Sequence, residues 1–344
     1  MDFVYATLGL LILLFAGDSL VRGAVNLSLR LGVPALIVSL TIVAFGTSAP
    51  ELLISVQAVL DHVPGLALGN VVGSNTANIL LVLGVPALLT GLATAGCDTR
   101  RNYIAMMAAT ALFMLLAAAG QRFGFVQGIV LLAGLGLMLS SAFNEALTHR
   151  RQVAAERRAA LAAEGEIADP AALEAEAEAE AEAEEEGEIE GADPDMPWLK
   201  VIMFLALGLI GLPIGANILV EAATSIARHY GMSETVIGLT LVAVGTSLPE
   251  LATTVMAAIR KQADVALGNV IGSNMFNLLA IIGVASLVGP IPVDPMMLRL
   301  DLWVMFMSSL LIAPFVFRGW YMGRRWGIVF VGLYLIYVLS LLGE

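Results

Sequence analysis

Cysteine occurs once in the 344 residues, at Cys97, and histidine three times, at His62, His149 and His229. A single cysteine excludes an intrachain disulfide. All three histidines fall in expected loops and Cys97 near a span end, so zinc or copper would find none of its usual soft ligands gathered. Charge is also scarce. Charged residues make up 13% of the chain, against about 25% in a soluble globular protein, so most of the chain faces something other than water. No His-Glu-x-x-His pattern and no nucleophile elbow is present, which argues against an intramembrane hydrolase. No DxDxDG-type calcium loop occurs either. The chain is expected to be no enzyme and to use no cofactor and no nucleic-acid partner.

Hydrophobic residues, by contrast, reach 59%. They gather in runs of about 18 to 25 residues, long enough to cross a hydrocarbon core of roughly 30 Å as helices. Ten spans are predicted, at 3–22, 34–60, 66–92, 102–120, 124–142, 198–220, 233–259, 263–290, 300–317 and 325–342. The start, Met1-Asp2-Phe3, lacks the basic stretch of a cleaved signal peptide, so the first run is expected to stay as a membrane helix. The fold class is an all-α polytopic membrane protein.

The net charge of −12 belongs to one loop. Seventeen of the 29 acidic residues lie between Phe143 and Pro197, beside four arginines, leaving the rest of the chain near neutral. The Ala-Glu alternation from Glu164 onward is low in complexity and cannot bury a core. Residues 143–197 are therefore expected to form a solvated linker between a first unit, 1–142, and a second, 198–344. With an external N-terminus, fourteen Lys and Arg fall in inner loops and three in outer ones, a strong positive-inside bias. Both termini then face outward and the linker is cytoplasmic.

Self-comparison at an offset of 199 residues aligns 32–84 with 231–283 without a gap, and about two dozen of the 53 positions are identical. Two motifs recur: Gly-Thr-Ser-x-Pro-Glu and Gly-Asn-Val-x-Gly-Ser-Asn-x-x-Asn. Five spans separate the two copies, and five is odd, so they must lie upside down relative to each other. Inverted repeats with sites near the midplane are common among secondary transporters, and two mirrored halves supply inward-open and outward-open states of similar energy.

Glu51 and Glu250 are the only acids this reading places in the middle of a span. A charge at bilayer depth is costly and marks an ion pathway or a paired site. Pro50 and Pro249 lack an amide hydrogen, so each is expected to open one turn and free carbonyls near Ala44 to Gly46 and Ala243 to Gly245. A simple proline kink would not need a glutamate directly after it in both copies. Asn70, Ser74 and Asn78, like Asn269, Ser273 and Asn277, are spaced four apart and form a polar stripe. Gly69 and Gly73, with Gly268 and Gly272, let another helix come close. Every ligand type on offer is oxygen, which suits a hard cation such as Ca²⁺. Two carboxylates would neutralise one Ca²⁺, and the same oxygens could surround several Na⁺.

At these motifs the sequence resembles the calcium/cation antiporter superfamily, specifically its sodium/calcium exchangers and their prokaryotic relatives. The resemblance implies ten helices as two inverted five-helix repeats, with alpha repeats at 32–84 and 231–283. It also implies that Glu51 and Glu250 hold the central ions. Thr47, Ser48, Thr246 and Ser247 match hydroxyl and carbonyl ligands, and Ala44 and Ala243 match positions that offer carbonyls. Ser74, Asn78, Ser273 and Asn277 match ligands on the third and eighth spans, while the first and sixth spans resemble a pair that slides against the core. Some relatives carry Asp where this chain has Asn277, which weighs against potassium co-transport. The expected activity is exchange of Ca²⁺ for Na⁺ by a monomer in the cell (inner) membrane. The alternative is proton-coupled antiport of Ca²⁺ or another divalent cation by the same fold.

Overall fold

The computed structural model describes residues 2–97, 99–164, 193, 195–231 and 243–342, with backbone alone for 150, 152–154, 156–164, 243 and 342. Helix α1 runs Asp2–Leu31. Helices α2, Ala35–Thr47, and α3, Ala49–Leu60, meet at a 43° bend. Then follow α4, Pro64–Leu89, α5, Arg100–Gly120, α6, Phe125–Glu164, and α7, Trp198–His229. Helices α8, Ala243–Thr246, and α9, Leu248–Ile259, precede α10, Ala263–Val288, and α11, Pro295–Arg318. The last is α12, Arg324–Leu342.

Among the described residues, eight helices are long and apolar enough to cross a membrane, or nine when α2 and α3 count as one span. The predicted span 233–259 is described only from 243 onward, as α8 and α9; its first part lies outside the described residues, as does 165–192 of the predicted linker. The observed helices are consistent with ten spans.

Several boundaries differ from the predicted ones. Helix α1 continues nine residues past 22, because Arg22 is neutralised within the helix by Asp18, Nε to Oδ2 3.0 Å. Helix α6 runs on from 142 to Glu164, so the first part of the predicted linker is helical; its Ala, Glu and Arg are strong helix formers. Helix α7 reaches His229. Helix α11 starts at Pro295 rather than 300, capped by Asp294 Oδ1, which accepts from Met296 N at 2.7 Å.

Burial separates the centre from the lipid-facing shell. In α4 and α10, 78% and 89% of the spanning window is buried, against 39% or less in the other long spans. These two helices carry the Gly-Asn-Val-x-Gly-Ser-Asn-x-x-Asn motif, and each contains a π-turn, Asn78–Val82 and Asn277–Ile281.

The inversion is visible in the packing of α1 on α7. A Cβ placed on Gly9 would meet Leu219 N, one on Gly211 would meet Ala16, one on Gly208 Leu20, and one on Gly23 Leu205. Contacts that climb along one helix as they descend along the other make the pair antiparallel. Because α1 and α7 are equivalent elements of the two repeats, the repeats are inverted. The loops agree. Strand β1, Arg122–Phe123, pairs antiparallel with β2, Ile291–Pro292, and Leu92 bridges Met322 in the same sense. Shifting Leu92 and Phe123 by 199 gives Ile291 and Met322, so one clasp is used twice.

Small residues permit these approaches. A Cβ on Gly268 would lie 2.9 Å from Leu36 O, and one on Gly272 would overlap the Leu40 carbonyl oxygen, so α2 sits directly on α10. The segment that would pack on Gly69 and Gly73 by symmetry begins among residues outside the described set.

Two outcomes follow. Gly272→Ala should lower the melting temperature of the purified protein, by an amount equivalent to about 1–3 kcal/mol of overpacking or more. Gly136→Ala, with nothing within 4 Å of the added carbon, should leave stability unchanged or raise it by up to about 1 kcal/mol. In the loop between α4 and α5, burial, reinforced by the charge and hydrogen bond of Asp264, pushes the Cys97 thiol well up. The thiolate is the reactive form, so maleimide labelling of Cys97 should stay slow from pH 7 to 9 and accelerate when the protein is denatured.

Candidate cation site

The break between α2 and α3 is built by Gly46-Thr47-Ser48-Ala49-Pro50-Glu51. A π-turn at Ser39–Val43 precedes it, and Ser48 leaves helical geometry at φ −86°, ψ 3°. Proline then falls in the first turn of α3, where its missing amide hydrogen is harmless. This places Glu51 in the same first turn, where unpaired peptide N–H groups favour a carboxylate. The second copy repeats the design: Ser247 at φ −89°, ψ 5°, Pro249 in the first turn of α9, and Glu250 beside it. The proline therefore starts a new helix instead of kinking one.

One carbonyl differs from expectation. Ala44 O accepts from Ser48 N at 3.1 Å and from Thr47 Oγ1 at 3.2 Å, so it is engaged within its own turn. The carbonyl that a proline four residues on cannot serve is that of Gly46, and in the second copy that of Gly245. Ala243 lies at the start of α8.

The two halves interlock at the glutamates. Glu51 and Glu250 are 1% and 0% exposed. Ser48 Oγ, three residues before Glu51, donates to Glu250 Oε1 at 3.1 Å, which puts both motifs in one layer. Thr47 Oγ1 also donates to Asn269 Oδ1 at 3.3 Å and lies 3.5 Å from Ser273 Oγ. Behind the carboxylates, Asn70 Nδ2 reaches Glu51 O at 3.4 Å and Ser55 Oγ at 3.2 Å. Asn269 Nδ2 reaches Glu250 O at 3.4 Å and Thr254 Oγ1 at 3.1 Å. The Asn70 and Asn269 contacts are related by the 199-residue shift.

The predicted polar stripes thus divide their work. Asn70 and Asn269 fasten the glutamate helices, and Asn78 and Asn277 turn to the opposite repeat. The Asn277 turn packs on α3 and the Asn78 turn packs on α9. Ser74 and Ser273 are buried between them. Thr246 ends α8 next to Ser247.

Five buried oxygens on these elements have no hydrogen-bond partner among the described residues: Glu51 Oε2, Glu250 Oε2, Asn78 Oδ1, Asn277 Oδ1 and Ser247 Oγ. A buried polar atom left unpaired costs about 1–3 kcal/mol, more when charged. Five together on mutually packed elements make a set of hard donors of the type that Ca²⁺ or Na⁺ accepts. Among the described residues, no group of three or more His, Cys, Asp or Glu gathers to hold a metal, so amides and hydroxyls must complete any shell around the two carboxylates.

Sequence reasoning missed several participants. Asn75 and Asn274 stand inside the second motif but drew no role, and Ser55 and Thr254 were passed over; the fixed 199-residue shift was the signal for all four. Asp18 is a third acid well inside a spanning helix. It pairs with Arg22 and with Arg260 Nη2 at the end of α9, so its charge is answered by two arginines. Charge reversal should therefore act here as an ion-pair test: Asp18→Arg should lower the melting temperature, and Asp18→Arg with Arg260→Asp should recover part of the loss.

Comparison with known proteins gives the family. Residues 1–143 and 200–343 match the sodium/calcium exchanger protein family. The chain is 34% identical to the putative antiporter CaxA of Alkalimonas amylolytica, over 89% of this chain and 87% of that one. It is 34% identical to the sodium/calcium exchanger MaX1 of Methanosarcina acetivorans, over 99% and 98%. Its fold is similar to that of the sodium-calcium exchanger NCX_Mj, with a TM-score of 0.76, 29% identity, and 99% and 98% of the two chains covered. Spanning both arms of the molecule on either side of the acidic linker, the match makes this chain a member of the sodium/calcium exchanger family.

Proposed function

We propose that the chain exchanges Ca²⁺ for Na⁺ across the membrane by alternating access. At the coarser level it is a multi-pass membrane antiporter of the calcium/cation class, and a transporter rather than an enzyme, as its similar proteins are. One observation carries the finer reading: the layer of buried, unpartnered oxygens around Glu51 and Glu250. Two carboxylates removed from water need positive charge beside them. One Ca²⁺ supplies it, and so do Na⁺ ions. Ions that compete for the same oxygens leave the site in turn, and that competition is coupling.

In this reading Glu51, Glu250, Thr47, Ser48, Thr246, Ser247, Ser74, Asn78, Ser273 and Asn277 surround the ions, with backbone carbonyls near Ala44 and Ala243 contributing as the helices shift. Structures of NCX_Mj soaked with Na⁺ and Ca²⁺ or Sr²⁺ support these ions as substrates. Both repeats come from one chain, so a monomer suffices. The positive-inside count supports outward-facing termini and a cytoplasmic linker.

Proteoliposomes loaded with Na⁺ should take up radiolabelled Ca²⁺ when diluted into Na⁺-free buffer. Uptake driven by a pH gradient and indifferent to Na⁺ would replace this reading with proton coupling. Glu51→Gln and Glu250→Gln should each abolish uptake while the protein still inserts and elutes as a single species. Substitutions within 164–190 should leave uptake intact.

A further inference from the structure

We propose that Asn75 and Asn274 are positioning residues that fix which face of the Asn78 and Asn277 amides is offered to the transported ion. The proposal rests on the exchanger reading and adds to it residues that touch no ion.

An asparagine amide has two ends of opposite sense, an acceptor oxygen and a donor NH₂. A cation site needs the oxygen, and nothing in the side chain's shape enforces that choice. Here the choice is enforced from outside. Asn75 Nδ2 donates to the backbone oxygen of Asn274 at 3.3 Å. A backbone carbonyl can only accept, so it determines which end of the Asn75 amide points to it. Asn75 Oδ1 is then turned to Asn277, which must answer with its NH₂, at 3.1 Å. The remaining end of Asn277 is Oδ1, buried and without a partner among the described residues. The second Asn75 hydrogen is directed to Met305 Sδ on α11, 3.8 Å away, which opposes a flip.

The mirror chain is the same. Asn274 Nδ2 donates to Asn75 O at 3.4 Å, Asn78 Nδ2 donates to Asn274 Oδ1 at 3.1 Å, and Asn78 Oδ1 is left buried and, among the described residues, unpaired. Four side chains and two backbone carbonyls form a closed relay across the interface of α4 and α10, all four side chains being 1% exposed or less. Reversing any one amide would set two donors or two acceptors against each other inside the protein, at about 1–3 kcal/mol for each group left unpaired. The relay converts two ambivalent amides into oxygen ligands.

The test is whether a ligand that cannot present the wrong face is immune to loss of the relay. A carboxylate offers oxygen in either orientation. Asn75→Ala should raise the Ca²⁺ concentration for half-maximal uptake about 10- to 100-fold, the range for lost supporting partners of a metal ligand. Combined with Asn277→Asp, the same Asn75→Ala change should shift that concentration by less than about threefold relative to Asn277→Asp alone, a non-additivity expected of directly coupled residues. An unchanged half-maximal concentration in Asn75→Ala overturns the proposal. So does an equal loss in both backgrounds, which would mark Asn75 as packing only. The Ca²⁺-dependent rise in melting temperature of the detergent-purified proteins is measured in parallel. If Na⁺ fails to drive uptake by the wild-type protein, the coupling reading falls and the relay is still scored by this binding shift. A variant that does not insert is replaced by its mirror, Asn274→Ala with Asn78→Asp, and failure of both to insert assigns the pair to folding and overturns the proposal.

Discussion

Two carboxylates shut away from water govern this molecule. Glu51 and Glu250 are almost wholly buried, in surroundings where an ionised group is tolerated only if something nearby answers its charge. Their first-turn positions supply peptide N–H dipoles from α3 and α9, and Ser48 supplies one hydrogen bond across the repeats. Among the described residues, that leaves an oxygen on each glutamate unpaired. In the proposed reading the transported cations supply the remaining compensation, so the site is complete only with its cargo. A structural ion pair would have closed the account internally, as Asp18 does with Arg22 and Arg260.

Duplication explains why each half finishes the other. The motif Gly-Thr-Ser-x-Pro-Glu places a hydroxyl three residues before a carboxylate, and Ser48 makes no side-chain cap bond within its own helix. Set against an inverted copy, the Ser48 hydroxyl of one half reaches the Glu250 carboxylate of the other. The asparagine relay works by the same crossing, since each amide oxygen is fixed by a backbone carbonyl of the opposite repeat. Glycine sets the distance throughout. On α10, Gly268 and Gly272 admit α2 to backbone contact, and along α1 and α7 glycines alternate from both sides. The second pairing brings the two equivalent helices α1 and α7 to backbone contact.

The departures of structure from sequence have physical causes. A proline inside an apolar run reads as a kink, but its ring is accommodated most cheaply in a first turn, so α2 and α3 separate at Ser48 and the Ala44 carbonyl stays engaged. Hydropathy ended the first span at Arg22, because an averaged scale cannot see that Asp18 lies one turn earlier. The π-turns at Asn78 and Asn277 have no local signature; they arise where a helix must carry an inward-facing amide past a crossing neighbour, and such turns gather at functional sites.

Composition, the odd number of spans and the 199-residue shift were enough to establish a membrane protein made of two inverted halves, and to single out two glutamates with oxygen-bearing neighbours as its candidate site. These are properties of residue type and spacing, which the linear chain carries in full. Which oxygens are left unpaired, which way each amide points, and that Asn75 and Asn274 decide it were settled only when α4 and α10 crossed. Hydrogen-bond direction depends on partners some 200 residues away, and no pattern within either copy specifies them.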